Sequence, residues 1–201
     1  MHEIATTLTD FFMAALSLAY AIGWMRQRAS FRGPTLFFLA FSLAALLGGL
    51  WHGYFSVPGA PGERIVWWLS MWFGGLSAAG LALTGLELMG LRLRKVAVAI
   101  AIFTAAFGVY VWLDPRFLAT IATSAGGTLI CLAGLSYQLV QRVTLGPLFA
   151  IAGLVISVSG AIAQQKGVTL HLLSFDHNAT YHLFLIVSLG FFYAGLRRIS
   201  L

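Results

Sequence analysis

The chain has 201 residues, of which 60% are hydrophobic and 9% are Asp, Glu, Lys or Arg, against about 45–50% and 25% in an average soluble domain. This composition excludes a water-soluble globular domain, and the many Phe and Trp residues exclude a disordered chain. The single cysteine, Cys131, excludes a disulfide framework and a cysteine-rich metal cluster. The formal net charge is +6, but the basic residues lie in short clusters between apolar runs, which is typical of membrane proteins and indicates no nucleic-acid partner.

Apolar runs of about 20 residues, the length that an α-helix needs to cross a bilayer, occur seven times in the chain. In order they cover residues 4–24, 34–57, 65–89, 95–113, 117–139, 145–163 and 178–196. A membrane β-barrel would need short segments of alternating polarity, whereas runs such as residues 95–108 are apolar on all sides. The sequence therefore predicts an all-α membrane protein, a single bundle of seven transmembrane helices that occupies residues 1–201.

The charged residues predict the orientation of this bundle. Alternating the connecting loops between two sides puts three basic residues on one side and nine on the other, the nine being Arg26, Arg28, Arg32, Arg92, Arg94, Lys95, Arg142, Arg197 and Arg198. By the positive-inside rule the side with nine is cytoplasmic, so the N-terminus lies outside and the C-terminus inside. Five of the six acidic residues and all five histidines then fall toward the outer side, while Glu87 is expected as a charge at the inner surface. We therefore expect an integral protein of a bacterial inner membrane, with its site facing the periplasmic or extracellular side.

Three ionisable residues fall inside predicted spans, at a matching depth near their outer ends. Asp10, His52 and His182 each lie four to six residues from the outer end of helices one, two and seven, which places them about 6–9 Å deep. A charged side chain at such a depth costs about 2–3 kcal/mol and normally faces the interior of the bundle with a partner. Together they predict a polar site in the outer half of the membrane.

The neighbours of these residues favour an inward face for each one. On the first helix, Thr6, Thr7 and Ser17 extend Asp10 into a polar stripe. On the second, Gly48 and Gly49 lie close to His52 on its own side and allow another helix to approach.

The start of the seventh helix supplies further candidates for the same site. Asn178 shares a face with His182 at a spacing of four residues. Asp176 is expected to cap the helix, which leaves His177 in the first turn, free to turn toward the site or toward water. His2 and His171 are expected at the surface.

Two imidazoles and one carboxylate, with one open position, form a common catalytic zinc arrangement in which a bound water becomes acidic near neutral pH. In this interpretation His52 and His182 are metal ligands, and Asp10 is a ligand or a base that acts on the water. Either Asn178 or His177 supplies a third ligand or polarises a carbonyl group. The membrane setting implies a lipid-like substrate that carries an amide or ester. Ligand type alone does not select the metal, so copper, iron or an axially ligated haem remain open.

The arrangement of helices and histidines resembles the superfamily of alkaline ceramidases and PAQR receptors, which are seven-helix membrane hydrolases. His52 near the end of helix two and His182 on helix seven match two of that family's zinc ligands. The chain departs from the family pattern at Gly48, where the family has Ser, and at Asn178, where it has His. The resemblance implies zinc-dependent hydrolysis of a lipid amide. Segments 9–10 (Thr-Asp), 49–53 (Gly-Leu-Trp-His-Gly) and 177–182 (His-Asn-Ala-Thr-Tyr-His) also resemble an uncharacterised bacterial seven-helix family, which implies no activity.

Several other interpretations remain open. The three intramembrane residues could form a proton relay or a small-ligand site without metal, or they could be interhelical hydrogen bonds alone, and Asp10 could cap its helix. A non-enzymatic metal- or haem-binding protein is the main alternative to a hydrolase. The small-residue faces of helices three and five could bind a partner membrane protein or a second copy of the chain. The Trp residues near the outer ends are expected to form an interfacial belt in contact with membrane lipids.

Overall fold

A computed structural model describes residues 3–27, 32–56, 59–91, 94–170 and 175–199. These residues form seven α-helices and, in the described part, only one isolated antiparallel bridge, between Leu170 and Phe175. The helices are α1 (Ile4–Gln27), α2 (Arg32–Leu50), α3 (Glu63–Leu88), α4 (Arg94–Leu113), α5 (Leu118–Gln141), α6 (Leu145–Gln165) and α7 (His177–Arg198). A π-helical turn, Trp51–Phe55, continues α2 without a break.

The predicted seven-helix architecture is confirmed, and the chain is an integral membrane protein by the length and hydropathy of its helices. Among the described residues, six helices are long and apolar enough to cross a membrane. They are α1, α2 with its π-helical turn, α3, α5, α6 and α7. Helix α4 contributes a shorter apolar stretch, Val98–Leu113.

The helices run alternately up and down, so that the bundle has two distinct ends. At one end, which we call the site end, the start of α1 contacts the end of α2 and the start of α7 through Glu3, His52 and Asp176. At the opposite end, the first residues of α2 contact Glu87 near the end of α3. Residues that are far apart in sequence, and that the sequence analysis expects in the outer half, therefore meet at the site end.

Small residues allow α3 and α5 to pack with their backbones in contact. A Cβ atom added at Gly85 would collide with the backbone of Ile130, and one added at Gly134 would collide with the backbone of Gly85. One added at Gly127 would meet the carbonyl group of Ala78. From the sequence, the small-residue faces of these two helices could bind a partner protein. In the structure they pack largely on each other inside the bundle.

The expectation that Glu87 is an inner-surface charge is wrong. Its side chain is buried, and its two carboxylate oxygens accept the backbone N–H groups of Arg32 and Gly33, each at 2.9 Å. The first N–H groups of a helix have no partner within the helix and carry partial positive charge. Glu87 therefore caps α2 from a neighbouring helix.

The variant Glu87→Ala is expected to lower the free energy of unfolding by about 2–4 kcal/mol, because two charge-assisted hydrogen bonds are lost and the N–H of Gly33 stays buried without a partner. Denaturation of the protein in detergent micelles measures this loss. Asp114→Ala is the matched control, because Asp114 pairs with Arg116 in solvent and exposed ion pairs contribute little. Equal stability of the two variants would contradict the capping role.

Candidate functional site

One face of α1 carries the polar residues of the site. Thr6, Asp10 and Ser17 are all buried, as the predicted polar stripe requires. Helix α1 begins at Ile4, six residues before Asp10, so the alternative that Asp10 caps this helix is wrong. Asp10 instead points into the bundle.

The buried side chains of Asp10 and His182 face each other across α1 and α7. Only 5% of Asp10 and 8% of His182 are exposed, and 3.6 Å separates Asp10 Oδ1 from His182 Nε2. This distance is too long for a hydrogen bond. The other ring nitrogen, His182 Nδ1, lies 2.8 Å from the hydroxyl oxygen of Thr9.

The hydrogen bonds of Thr9 assign the proton of the His182 ring. The Thr9 hydroxyl lies 2.9 Å from the carbonyl oxygens of both Ala5 and Thr6, and it has one hydrogen to donate. Both carbonyl oxygens lie within reach of that hydrogen, so we assign it to the backbone of its own helix and assign Nδ1 of His182 as the donor to Thr9. In the neutral ring, Nε2 then carries a lone pair that faces the carboxylate of Asp10.

A second imidazole–carboxylate pair lies beside the first. His52 Nδ1 is 2.8 Å from Glu3 Oε2, yet both atoms are buried and neither has a hydrogen-bond partner of acceptable geometry in the described part of the chain. The side chain of Glu3 is 40% exposed and that of His52 is 13% exposed. Glu3 thus lies at the opening of the site and His52 further inside.

The local fold of α2 brings the two pairs together. His52 lies in the π-helical turn, a distortion of the α-helix that is frequent at functional sites. One turn earlier, a Cβ atom at Gly48 would lie 3.3 Å from Asp10 Oδ2, and one at Gly49 would lie 3.1 Å from Asp10 Cβ. The two glycines therefore let α1 approach α2 closely, as the sequence predicted. Asp10 Oδ2 is itself buried without a hydrogen-bond partner.

Asp176, the predicted N-cap of α7, also connects the start of α7 to α1. Asp176 Oδ1 accepts the backbone N–H of Ala179 at 2.7 Å, which confirms the N-cap. The Thr6 hydroxyl lies 3.1 Å and 3.2 Å from the two oxygens of the same carboxylate and donates to it. This contact fixes the height of α7 relative to α1 and so places His182 beside Asp10.

The structure does not bring every candidate residue to the site. His177 is exposed at the first position of α7, and the side-chain oxygen of Asn178 accepts a hydrogen bond of 2.8 Å from Gln164 of α6. His2 and His171 lie outside the described residues. Across the ranges that the structure describes, no group of three or more His, Cys, Asp and Glu residues could hold a metal ion. The arrangement is thus two adjacent pairs.

Sequence reasoning missed Glu3 as a site residue and counted it only among the acids of the outer side. A signal was present, because Glu3 and Asp10 are seven residues apart, which is about two helical turns. Glu3 precedes the first helical residue, so a search confined to the predicted spans passes over it.

The chain belongs to a family of unknown function, DUF6962, whose model matches residues 5–201. No curated protein and no solved structure matches the chain.

The assigned proton position of His182 predicts a spectroscopic result. In ¹⁵N NMR spectra of the protein labelled at histidine, Nδ1 of neutral His182 should be protonated and Nε2 should not. Thr9→Val removes the acceptor of that proton and should reduce the population of this tautomer, whereas Thr9→Ser should preserve it. A ring protonated at Nε2 in the unmodified protein would contradict the assignment.

Proposed function

We propose that the site end binds a divalent transition metal, zinc in the first instance, with His182 Nε2 and Asp10 Oδ1 as ligands. The observation that supports this most is that two electron-pair donors face each other inside a membrane bundle, with no hydrogen bond between them. Such an arrangement is unfavourable unless a positive charge lies between the two atoms. That charge is either a metal ion or a proton.

The distance and the outer contacts favour a metal ion. Two ligands of a tetrahedral zinc, each about 2.0–2.2 Å from the ion, are about 3.3–3.6 Å apart, and the observed separation is 3.6 Å. A histidine that binds a metal through one nitrogen usually donates its other N–H to an oxygen, which fixes the ring. Thr9 accepts the Nδ1 proton of His182 in this way.

His52 and Glu3 are the groups that could complete such a site. Glu3 Oε2 and His52 Nδ1 are buried and lie 2.8 Å apart without the geometry of a hydrogen bond, and the Gly48 contact puts the helix that leads to His52 against the Asp10 carboxylate. In the proposal, His52 supplies the second imidazole by turning toward the ion, because the described residues do not form a group of three ligands as they stand. Glu3, at the more exposed edge, is positioned to accept a proton from a water at the open position. His177 and Asn178 have no ligand role in this form of the proposal.

The reaction that we propose is hydrolysis of a lipid-like amide or ester. Zinc with one open position makes a bound water acidic near neutral pH. The resemblance to alkaline ceramidases and PAQR receptors implies the same chemistry, and His52 and His182 are the two positions that carry it. Membrane lipids can reach a site near the end of a helix bundle without leaving the bilayer.

The orientation in the membrane is part of this proposal. The described basic residues at the opposite end are Arg26, Arg32, Arg94, Lys95, Arg142, Arg197 and Arg198. By the positive-inside rule that end faces the cytoplasm. The N-terminus and the site then face outward, toward the periplasm if the membrane is a bacterial inner membrane.

A non-enzymatic metal-binding protein, such as a subunit of a larger membrane complex or a homo-oligomer, is the second candidate. It is favoured by the pairing of the ligands, because two separate imidazole–carboxylate pairs can hold ions without leaving a position for substrate. Copper or iron would suit this candidate as well as zinc does. Haem fits less well, because Nε2 of His182 faces a carboxylate at 3.6 Å.

Metal analysis tests the site itself. The protein purified in detergent and dialysed against buffered zinc should bind zinc, and His182→Ala should weaken the affinity at least about 100-fold. Thr9→Val should weaken the affinity about 10–100-fold, because the His182 ring then loses the hydrogen bond that holds it in the orientation of a ligand. His177→Ala is the matched control on the same helix and should bind as the unmodified protein does. Equal zinc content in all four proteins would remove the proposed site.

A lipid-amide assay separates the hydrolase from the non-enzymatic candidate. Protein loaded with zinc and reconstituted in vesicles should release fatty acid from a fluorescent N-acyl lipid. Asp10→Asn should lower the rate by about 100-fold or more, while Asp114→Asn, at a half-buried carboxylate that pairs with exposed Arg116, should leave it unchanged. Zinc binding without release of fatty acid from amide or ester lipids would support the second candidate.

A further inference from the structure

Helix α4 is attached to α3 by side-chain hydrogen bonds to its backbone as well as by a buried apolar cluster of Met71, Phe107 and Val111. Four side chains of α3 donate to carbonyl oxygens of α4 or of the residues that follow it, at distances of 2.8–3.0 Å. In order along the helices they are Trp72 to Thr104, Trp68 to Gly108, Arg64 to Trp112 and Trp67 to Pro115. Helix carbonyls have a second lone pair, so these bonds leave α4 intact. The indole rings act as spacers between the two helices.

This mode of attachment leaves an apolar cleft between α3 and α4. Two adjoining cavities, of about 250 Å³ and about 440 Å³, share Trp72 and Ala105 in their walls. We define the α3–α4 cleft by Trp68, Trp72, Ala105 and Trp112 toward the site end and by Leu83 and Ile100 toward the opposite end. From Trp68 to Leu83 the cleft follows α3 for about 22 Å.

The walls of the cleft indicate a hydrocarbon chain as its occupant. Apolar walls offer water no hydrogen bonds, and an empty space of this size would lose the packing contacts that interiors make. A lipid acyl chain is narrow, flexible and present on all sides of a membrane helix.

The positively charged side chain of Arg64 lies at the end of the cleft where a lipid headgroup would lie. The exposed guanidinium of Arg64 is 4.6 Å from the centre of the Trp112 ring and donates one of its N–H groups to the Trp112 carbonyl. Within the described ranges no carboxylate lies in ion-pair distance of Arg64, whereas Arg116 nearby pairs with Asp114. The remaining N–H groups of Arg64 are suited to a phosphate, and Trp112 suits the membrane interface.

We propose that the α3–α4 cleft is a binding site for one anionic phospholipid of the bilayer. One acyl chain lies in the cleft, between Trp72 and Ala105, and the phosphate binds Arg64. The proposal uses none of the residues of the Asp10–His182 site and stands independently of the metal and of the hydrolase.

Native mass spectrometry of the whole protein, freed of lipid by detergent exchange, tests this site with two probes, phosphatidylglycerol and phosphatidylcholine. The unmodified protein should bind one phosphatidylglycerol in preference to phosphatidylcholine. Arg64→Gln should reduce that preference about fivefold, the effect of one basic residue on an anionic lipid. Lys166→Gln is the matched control and should leave the preference unchanged.

Filling the cleft tests the position of the acyl chain. Ala105→Trp should reduce retention of both lipids, whereas Leu129→Trp, at an exposed position of α5, should not. Ala101→Leu is a milder variant of the same cleft that keeps the test valid if Ala105→Trp does not fold, as circular dichroism would report. Several bound lipids without preference or sensitivity to these variants would mean bulk annular lipid only and would overturn the proposal. A dimer that Ala105→Trp dissociates would overturn it as well, because a second chain would then occupy the cleft.

Discussion

Ionisable side chains inside a membrane bundle are stable only when each one meets a partner, and this constraint determines how α1, α2 and α7 associate at the site end. Asp10 has its counterpart on α7 in His182, and Glu3 has its counterpart on α2 in His52. Facing lipid, these groups would each cost several kcal/mol. The pairings therefore select one arrangement of the three helices among the many that apolar packing alone would allow.

The two ends of the bundle use carboxylates differently. At the opposite end, both oxygens of Glu87 accept backbone N–H groups. At the site end, Asp10 Oδ2 is buried without a hydrogen-bond partner, and Glu3 Oε2 and His52 Nδ1 lie 2.8 Å apart without the geometry of a hydrogen bond. Buried polar atoms in native proteins are nearly always satisfied, and the exceptions call for an explanation such as a bound ion. The contrast within one chain separates a carboxylate with a structural role from the groups of the candidate site.

The sequence predicts the helices well because hydropathy over about 20 residues depends little on tertiary structure. It also predicts the meeting of Asp10 and His182, because depth in the membrane can be counted from the helix ends. It could not predict the partner of Asn178, since the choice between α6 and the site depends on the rotation of α7. Nor could it predict the role of Glu87, because capping of one helix by another depends on how the two helices align.

Glu3 and the α3–α4 cleft show a second limit of sequence reasoning. Glu3 lies just outside the first helix, where position relative to the membrane is least defined by hydropathy. The tryptophans near the outer ends were expected to form an interfacial belt. In the structure, the indole N–H groups of Trp67, Trp68 and Trp72 also donate hydrogen bonds to backbone carbonyls. Backbone acceptors are present at every residue, so no sequence pattern distinguishes the carbonyls that receive such bonds.

X-ray absorption at the zinc edge, on protein that carries one equivalent of zinc in micelles, tests the central claim most directly. If His182 and Asp10 hold a cation between them, the spectrum should contain imidazole scattering and a first shell of nitrogen and oxygen atoms at about 2.0–2.2 Å. The imidazole signal should decrease in His182→Ala. A first shell of water oxygens alone, unchanged by that substitution, would contradict the account and leave the two pairs as interhelical contacts only.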